Sequence, residues 1–332
     1  MINAAVIGMG VGERHAEVYE QDSRCNLVGI CDFDVKKQKF FKKKYPQTKI
    51  YHKDKEILND EKINAVSIAS YDNYHFKQVM NAIENNKHII VEKPICLKKY
   101  ELDQIIAAKN NKCDLILSSN FVLRTNEIFS KFRNDILSSY FGDLYYLEAD
   151  YYWGRINKFN GWRSEMDFYS IILGAAIHMI DLMMFMLSSK PISVYALGNK
   201  LGSKNNKLNF DSFVVILLEF PENLIVKITG NGPCVHPHFH NLKIFGSEKT
   251  AVHNYYDSYY LNRLSSGFKK ADIDNILSKN GSKNKVISSF IDSIIRPGIK
   301  PIVQQNDIFN VMNVCIAAEE SIKINKPVNI EY

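Results

Sequence analysis

The sequence has few cysteines, and none of them form a closely spaced pair. The six cysteines are Cys25, Cys31, Cys96, Cys113, Cys234 and Cys315. Without a C-x-x-C motif, the pattern argues against both a zinc site and a disulfide framework. Widely spaced cysteines of this kind are typical of proteins in a reducing compartment, so we expect a cytoplasmic protein.

The sequence also lacks a long, purely apolar run. The longest apolar stretch, residues 171–187, contains His178 and Asp181, which indicates a buried helix rather than a membrane span. The apolar residues 4–7 are too few for the core of a signal peptide. We therefore expect a soluble protein that does not associate with membranes.

No segment carries a charge run that predicts a nucleic-acid partner. The formal net charge is +6, but the lysines are spread along the chain or lie on predicted helix faces, as at Lys36, Lys37 and Lys39. Such faces are usually solvated, so we expect no nucleic acid as a partner. An anionic small molecule is compatible with this charge.

The first part of the chain has the pattern of a doubly wound α/β domain. A length of 332 residues predicts two domains, because one hydrophobic core rarely organises that many. Within residues 1–121, short apolar runs alternate with helical patterns, which predicts a Rossmann-type parallel sheet. The predicted strands are residues 4–8, 26–31, 65–70, 88–92 and 114–119. Ligands of such a sheet bind beyond the carboxyl ends of its strands.

The rest of the chain, residues 122–332, has a different texture. Longer and more aromatic runs with period-two alternation predict an α+β domain with a large, mostly antiparallel open sheet. The predicted strands are residues 144–153, 193–198, 213–220, 224–229 and 241–245, and the predicted helices are 171–187 and 307–324. Residues 198–207 and 264–285 are predicted to be loops.

A glycine-rich turn follows the first predicted strand and opens a helix. The segment GMGVGERH, residues 8–15, contains Gly8, Gly10 and Gly12 and is one residue tighter than G-x-G-x-x-G. Such glycines let the backbone approach a pyrophosphate at a helix N-terminus. The second strand ends at Asp32, where a carboxylate can accept hydrogen bonds from ribose hydroxyls and repel a 2′-phosphate. We predict NAD as the cofactor, although the nearby Lys36 and Lys37 leave NADP possible.

Several further segments resemble one family in their order along the chain. They are similar to segments of the glucose-fructose oxidoreductase, inositol dehydrogenase and MocA (Gfo/Idh/MocA) family. The segments are a loop at 66–75 related to I-A-T-P-N-x-x-H, VEKPI at 91–95, GWR at 161–163 and IHMID at 177–181. The resemblance implies NAD-dependent hydride transfer at a sugar-like alcohol. It also implies an open sheet that mediates oligomers, so we expect a homodimer or homotetramer. The expected cofactor-binding residues are Gly8, Gly10, Gly12, Asp32, Ser70, His75, Glu92 and Lys93.

Two side chains are candidates for the proton chemistry. Lys93 closes the fifth strand, and its ammonium can stabilise negative charge on the reacting oxygen. His178 can move the proton, because an imidazole titrates near working pH. Gly174 occupies the place where the resemblance leads us to expect an aspartate. Either Lys93 and His178 suffice, another acid such as Glu165 or Asp167 assists, or the protein binds without turnover.

The segment YYWGRINKFNGWR, residues 151–163, is rich in aromatic and arginine residues. Aromatic rings can cover a sugar, and guanidinium groups can bind a carboxylate or phosphate. The predicted substrate contacts are Arg124, Tyr152, Arg155, Trp162, Arg163 and Asp181. Resemblance to surface-polysaccharide enzymes favours a sugar or sugar nucleotide; a neutral cyclitol and a catalytically silent NAD-binding sensor are the alternatives.

Three histidines, His236, His238 and His240, alternate along a predicted strand. Alternation predicts that they share one face, where they could hold a metal. Because no acidic fourth ligand is nearby, we favour a polar strand face over a metal site.

Overall fold

The computed structural model of the protein describes residues 1–273 and 281–332. The chain divides into two compact units, one formed by Met1–Val122 with Ser282–Phe309 and the other by Leu123–Gly281 with Asn310–Tyr332. The first border falls beside the predicted one at residue 121. The segment Ser282–Phe309, which the sequence placed in the second domain, belongs to the first unit. In the described residues, no helix has both the length and the apolar character needed to cross a membrane.

The first unit contains a six-stranded parallel sheet in the order β3-β2-β1-β4-β5-β6. Its strands are β1 (Ile2–Ile7), β2 (Cys25–Cys31), β3 (Lys49–Tyr51), β4 (Ala65–Ile68), β5 (His88–Val91) and β6 (Leu117–Ser119). Its helices are α1 (Glu13–Gln21), α2 (Val35–Lys44), α3 (Asp54–Leu58), α4 (Asp72–Glu84), α5 (Lys99–Asn110) and α8 (Lys283–Ile295). The central strands are continuous apolar runs because helices cover both faces of a doubly wound sheet. The predicted Rossmann architecture is confirmed.

Two polar contacts join the segment Ser282–Phe309 to the rest of the first unit. Arg24 pairs with Asp292 of α8 at 2.5 Å. The Ser118 hydroxyl, on β6, donates to the carbonyl oxygen of Val303 at 2.9 Å. These partners are far apart in sequence, so local pattern could not reveal them.

The second unit is built on a nine-stranded sheet in the order β14-β13-β12-β11-β7-β10-β9-β8-β15. Its strands are β7 (Leu144–Tyr152), β8 (Ser193–Asn199), β9 (Phe213–Glu219), β10 (Ile225–Asn231), β11 (Phe239–Gly246), β12 (Lys249–His253), β13 (Ser258–Leu264), β14 (Gly267–Asp272) and β15 (Val328–Asn329). β10 and β7 are parallel, and the other described pairings are antiparallel. The predicted antiparallel α+β architecture is confirmed.

Among the described residues, the helices that accompany this sheet are α6 (Glu127–Leu137), α7 (Ile177–Leu187) and, from Asn310 onward, α9 (Gln305–Ile324). The predicted loop at 264–285 is wrong over Gly267–Asp272, which pairs with β13, and over residues 283–285, which form the start of α8. β14 escaped prediction because its side chains are almost all exposed, so it shows no apolar alternation. Residues 274–280 of that predicted loop lie outside the described residues.

Candidate active site

Four loops of the first unit follow the carboxyl ends of neighbouring strands. The glycine turn follows β1, Asp32 follows β2, Ser70 follows β4, and Glu92 and Lys93 follow β5. Since β2, β1, β4 and β5 are adjacent in the sheet, these loops lie along one edge. The strand order reverses between β1 and β4, which is where doubly wound sheets bind their ligands.

The three glycines of the first loop differ in how much space an added side chain would have. Gly8 has a φ of 86°, and an added Cβ would lie less than 3.0 Å from the backbone of Ala69. A Cβ at Gly12 would lie equally close to the carbonyl oxygen of Gly8. At Gly10 the nearest atom to an added Cβ is the Lys37 Nζ, 3.9 Å away, so that backbone faces open space. This arrangement fits the close approach of a pyrophosphate to the start of α1.

Asp32 holds the glycine turn while presenting a negative charge at the end of β2. Its carboxylate accepts hydrogen bonds from the backbone N–H of Met9 at 2.7 Å and of Asp34 at 2.9 Å. The Lys37 ammonium lies 3.4 Å from the same carboxylate. The residues of this loop therefore fit a dinucleotide, and Lys37 partly offsets the charge that would exclude a 2′-phosphate.

Glu92 directly follows the buried strand β5, and its carboxylate has several partners within the first unit. Its carboxylate accepts from the Asn120 amide at 2.7 Å and the Lys283 ammonium at 2.8 Å, and it lies 3.5 Å from His15 Nε2. Burial acts to raise the pKa of Glu92, but the charge of Lys283 and the His15 contact outweigh it and hold that pKa well below its usual range. The geometry favours a supporting role for Glu92 over direct cofactor binding.

Lys93 comes directly after Glu92 and is only partly buried. The peptide bond that joins it to Pro94 is cis. His75 is fully buried, with Nδ1 2.6 Å from the Pro94 carbonyl oxygen and Nε2 3.1 Å from that of Ser70. His75 thus connects the loop after β4 to the loop that carries Lys93. The Ser70 hydroxyl is itself hydrogen-bonded to the Gln78 amide oxygen at 2.6 Å.

In the second unit, His178 lies on one of the few accessible positions of a buried helix. A π-helical turn, Ile172–Ala176, leads directly into α7. Between residues 171 and 184, only Gly174 and His178 are not fully buried. These two residues are one helical turn apart and share a face. The imidazole is therefore accessible along a narrow stripe of an otherwise apolar helix.

A cluster of rings surrounds His178 on the sheet side. Tyr151 of β7 stacks on the imidazole at 5.7 Å, and His238 and His240 contact the Tyr151 ring at 5.2 Å and 4.9 Å. Burial lowers the pKa of His238, and burial together with His238 lowers that of His240 to about 3. Both are therefore neutral near pH 7 and can exchange hydrogen bonds with hydroxyl groups.

Tyr151, rather than the predicted Tyr152, occupies the face next to His178. Successive residues of a strand point to opposite faces, and Tyr152 directs its hydroxyl to Asp150 at 3.3 Å. Which of the two residues faces the helix could not be predicted from the sequence, because both are tyrosines. Tyr151 therefore faces His178, and Tyr152 faces the opposite side of the sheet.

Arg124 and Asp181, both predicted to bind substrate, bind each other. The Arg124 guanidinium donates to the Asp181 carboxylate through Nη2 at 2.6 Å and Nε at 3.0 Å, and the Asp181 side chain is fully buried. A buried pair of this kind is costly to separate. The geometry favours a structural role, in which the pair fixes α7 and hence His178.

Three cations of the segment 155–163 lie close together. The pKa of Lys158 is lowered first by burial and then by the charges of Arg155 and Arg163. The Arg163 guanidinium stacks on Trp162 at 4.2 Å and Trp153 at 5.2 Å, and its buried Nε has no hydrogen-bond partner in the described part of the chain. No carboxylate among the described residues forms an ion pair with any of the three. Lys158 is not among the substrate contacts predicted from the sequence, because no local pattern marks an isolated lysine as a binding residue.

The three histidines of 236–240 do not share one face as predicted. β11 begins only at Phe239, so strand alternation does not extend to His236, which packs on Tyr152 at 4.8 Å. His238 and His240 lie 5.0 Å apart beside Tyr151. Within the residues that the structure describes, no group of three His, Cys, Asp or Glu side chains could hold a metal ion. None of the six cysteines, all of which lie in the described residues, forms a disulfide bond there.

Comparison with known proteins identifies both units. Residues 2–120 match a family model described as an oxidoreductase family with an NAD-binding Rossmann fold. Residues 129–252 match a model described as a GFO/IDH/MocA C-terminal domain. The two matches together cover most of the chain.

Individual relatives agree with this assignment. The chain is 25% identical over 249 residues to myo-inositol 2-dehydrogenase of Thermotoga maritima. The aligned region spans 73% of this chain and 72% of the relative. It is 25% identical over 198 residues to UDP-N-acetylglucosamine 3-dehydrogenase of Acidithiobacillus ferrooxidans, spanning 59% and 58% of the two chains. The crystal structure of myo-inositol 2-dehydrogenase from Lactobacillus plantarum has the same fold, with a TM-score of 0.84 at 21% identity over 99% of both chains.

Proposed function

Because the chain belongs to the Gfo/Idh/MocA family and is an NAD-binding dehydrogenase that acts on CH–OH groups, we propose that its substrate is a sugar bearing an anionic group, such as a sugar nucleotide. An activated precursor of a surface polysaccharide has this chemistry. The observation that carries the proposal is the cluster of Arg155, Lys158 and Arg163, which has no carboxylate counter-ion in the described residues. Guanidinium groups bind carboxylates and phosphates with two parallel hydrogen bonds.

The roles of Lys93 and His178 follow from the needs of alcohol oxidation. The bound nicotinamide supplies the hydride acceptor. The hydroxyl must lose its proton as the hydride leaves the same carbon, so charge develops on that oxygen. We assign the Lys93 ammonium to the stabilisation of this charge and the His178 imidazole to removal of the proton. The stacked Tyr151 and the buried Arg124–Asp181 pair hold His178 in place.

A substrate panel with the purified protein and NAD tests the proposal. The panel contains UDP-N-acetylglucosamine, glucuronate, glucose and myo-inositol, and reduced nicotinamide is followed by its absorbance. We expect the anionic sugars to have kcat/KM values at least about tenfold above those of the neutral ones, since charge-assisted hydrogen bonds contribute roughly 1.5–3 kcal/mol. Higher kcat/KM values for the neutral compounds would overturn it.

Arginine variants separate the charge effect from general damage. We expect Arg155→Ala combined with Arg163→Ala to lower kcat/KM for anionic sugars selectively, leaving neutral ones within about threefold. Arg263→Ala is the matched control, because Arg263 is an exposed arginine of β13 outside the cluster. Equal losses for anionic and neutral sugars would contradict an anion-binding role.

A cyclitol is the second candidate substrate, and a specific observation favours it. His238 and His240, which contact Tyr151 beside His178, are neutral near pH 7 and suit uncharged hydroxyls. The same panel decides between the two, because a cyclitol offers no group to the three cations. A preference for myo-inositol over every anionic sugar is the result that supports this alternative.

We further propose that the open face of the nine-stranded sheet forms the contact between subunits of a homodimer or homotetramer. Leu197, Leu217 and Ile225, on β8, β9 and β10, are 46%, 42% and 49% exposed on this sheet. Exposed aliphatic residues on adjacent strands are typical of a subunit interface. We expect Leu217→Lys with Ile225→Lys to reduce the mass measured by light scattering to that of one chain, while Lys204→Glu leaves it unchanged. An oligomer that survives the double substitution refutes this interface.

A further inference from the structure

Three nitrogen atoms from different parts of the first unit approach one oxygen of Glu92. The Asn120 amide donates to Glu92 Oε1 at 2.7 Å, and the Lys283 ammonium donates to the same atom at 2.8 Å. His15 Nε2 lies 3.5 Å from that oxygen, which exceeds the normal length of a hydrogen bond, and it has no hydrogen-bond partner among the described residues. Lys283 is therefore the ammonium group that holds this carboxylate by a direct hydrogen bond.

Lys283 reaches Glu92 from a segment that is distant in the sequence. It is the first residue of α8, in the segment Ser282–Phe309 that belongs to the first unit. The next residue, Asn284, accepts a hydrogen bond from Arg14 Nε at 2.9 Å. Arg14 lies in α1, which starts directly after the glycine turn. The first turn of α8 therefore contacts both the start of α1 and the acid that precedes Lys93.

The contact between Lys283 and Glu92 is also an ion pair. The two side chains are 34% and 12% exposed, so water and salt screen the pair only in part. Burial raises the pKa of Glu92, and the charge of Lys283 is the strongest of the influences that lower it. When one partner of an enclosed pair is removed, the other charge is left without compensation. Lys283 thus balances the negative charge that precedes Lys93 in the chain.

The backbone on both sides of Lys93 is held within the first unit. The N–H of Glu92 donates to the carbonyl oxygen of Ile68 at 2.8 Å, which continues the pairing of β5 with β4. On the other side, the Pro94 carbonyl oxygen lies 2.6 Å from His75 Nδ1. The Lys93 side chain therefore extends from a fixed backbone, and the charges around it influence where its ammonium lies.

We propose that Lys283 is a positioning residue for the dehydrogenase reaction. By binding and neutralising Glu92, it prevents this carboxylate from drawing the Lys93 ammonium away from the reacting oxygen. An unbalanced carboxylate on the preceding residue would attract an ammonium strongly, because the site is partly shielded from water. The assignment rests on the proposed function, in which Lys93 stabilises charge on that oxygen. Lys283 acts through Glu92 and is not itself a catalytic residue.

Lys283→Met removes the charge and keeps a side chain of similar length. We expect kcat on the preferred panel substrate to fall about tenfold, with KM for NAD changed by less than about threefold. Lys283→Arg keeps the charge and should retain kcat within about threefold of the native value. Lys300→Met is the matched control, because Lys300 is an exposed lysine of the same segment. Native-level kcat in Lys283→Met overturns the proposal.

Removal of both charges separates charge balance from packing. In Lys283→Met combined with Glu92→Gln, no unbalanced carboxylate remains, so we expect kcat to recover to at least about threefold above that of Lys283→Met alone. Assays below the thermal midpoint of every variant, with kcat calculated per folded enzyme, keep loss of stability out of the comparison. A double variant that is as slow as Lys283→Met, or slower, contradicts the role of charge balance.

A substrate-free measurement distinguishes failure of this inference from failure of the proposed function. If the native protein oxidises no member of the panel, the proposed function fails, and the rate at which acetic anhydride acetylates Lys93, followed by mass spectrometry, then tests Lys283. Only the neutral amine reacts, and an unbalanced Glu92 favours the ammonium form. We expect Lys93 to react at least about threefold more slowly in Lys283→Met and at the native rate in Lys283→Arg. The rate at Lys62, an exposed lysine that precedes β4, should not change. An unchanged rate at Lys93 in Lys283→Met refutes the inference whatever the substrate is.

Discussion

The Tyr151 ring lies parallel to the His178 imidazole, with centroids 5.7 Å apart and planes inclined by only 6°. Tyr151 comes from β7 and His178 from α7, so the stack connects the sheet to the helix that carries the proposed proton acceptor. Burial raises the pKa of Tyr151 to about 12, so this partner stays uncharged at neutral pH. The stack thus restricts rotation of the imidazole without adding charge to it.

The stack predicts a difference between two Tyr151 variants. Tyr151→Phe retains the ring and should keep kcat within about threefold of the native value. Tyr151→Ala frees the imidazole and should lower kcat by about tenfold to a hundredfold, because misplaced catalytic groups lose proximity. Steady-state kinetics on the preferred panel substrate checks both; identical losses in the two variants would show that the hydroxyl, and not the stacking, matters.

A second prediction concerns Glu92 and its partners. Glu92→Gln removes the charge that pairs with Lys283 and leaves a partly buried ammonium without its counter-ion. We expect a loss of about 1–3 kcal/mol in the free energy of unfolding at pH 7. Since the pKa of Glu92 is lowered in the folded state, its contribution is present above the pKa of the unfolded chain and is lost as pH falls through the folded value.

Urea unfolding of Glu92→Gln and the native protein at neutral and acidic pH provides the measurement. The difference between the two should be largest near pH 7 and should shrink in acid. Glu61→Gln serves as the control, because Glu61 is an exposed glutamate and forms no ion pair among the described residues. A Glu92→Gln variant as stable as the control at pH 7 would contradict the supporting role of this carboxylate.

The third prediction concerns the choice between the two nicotinamide cofactors. Asp32→Ser removes the carboxylate but leaves Lys37, whose ammonium lies 3.4 Å from it in the native protein. We expect the ratio of kcat/KM for NAD to that for NADP to fall at least about tenfold, because repulsion of the 2′-phosphate is replaced by attraction. Adding Lys37→Ala should reverse part of the shift. If Asp32→Ser leaves the ratio of the two kcat/KM values unchanged, another group recognises the ribose of the cofactor.

Glu319 gives a fourth prediction, on pH and stability. Burial raises the pKa of this carboxyl to about 7, and the Ser170 hydroxyl donates a hydrogen bond to it. The folded state therefore binds a proton more tightly than the unfolded chain, so this group lowers stability as pH rises from about 4.5 to 7. At pH 8 the cost amounts to about 2–3 kcal/mol relative to pH 4.

Glu319→Gln keeps an oxygen acceptor for Ser170 and removes the titration. We expect the variant to be more stable than the native protein at pH 8 and about equally stable at pH 5. Denaturant unfolding across this pH range measures it, with Glu320→Gln as an exposed neighbouring control. Parallel pH curves for the native protein and Glu319→Gln would show that the carboxyl titrates normally.

The parts of the fold that could be predicted are those that depend on local chemistry. The buried runs of β1, β4 and β5, the glycine turn and Asp32 each carry their signal within a few residues, because tight turns and parallel strands restrict residue type. Lys93 and His178 could be proposed from the sequence because each interrupts an apolar pattern. Their surroundings were not predictable in the same way.

The remaining features of the site depend on contacts between residues that are far apart in the sequence. Arg124 and Asp181 are both predicted to bind substrate, and no local pattern could reveal that they form a buried ion pair with each other. The choice between Tyr151 and Tyr152 depends on the pairing of β7 with its neighbours, which no local pattern contains.

Reduction of NAD by the native protein, measured beside Lys93→Met and His178→Ala with the substrate panel, tests the two proposed catalytic roles together. We expect turnover of at least one sugar by the native protein and a kcat at least about a hundredfold lower in each variant, with NAD affinity changed by less than about threefold. Native-level kcat in either variant, or tight NAD binding without turnover of any compound by the native protein, would contradict it.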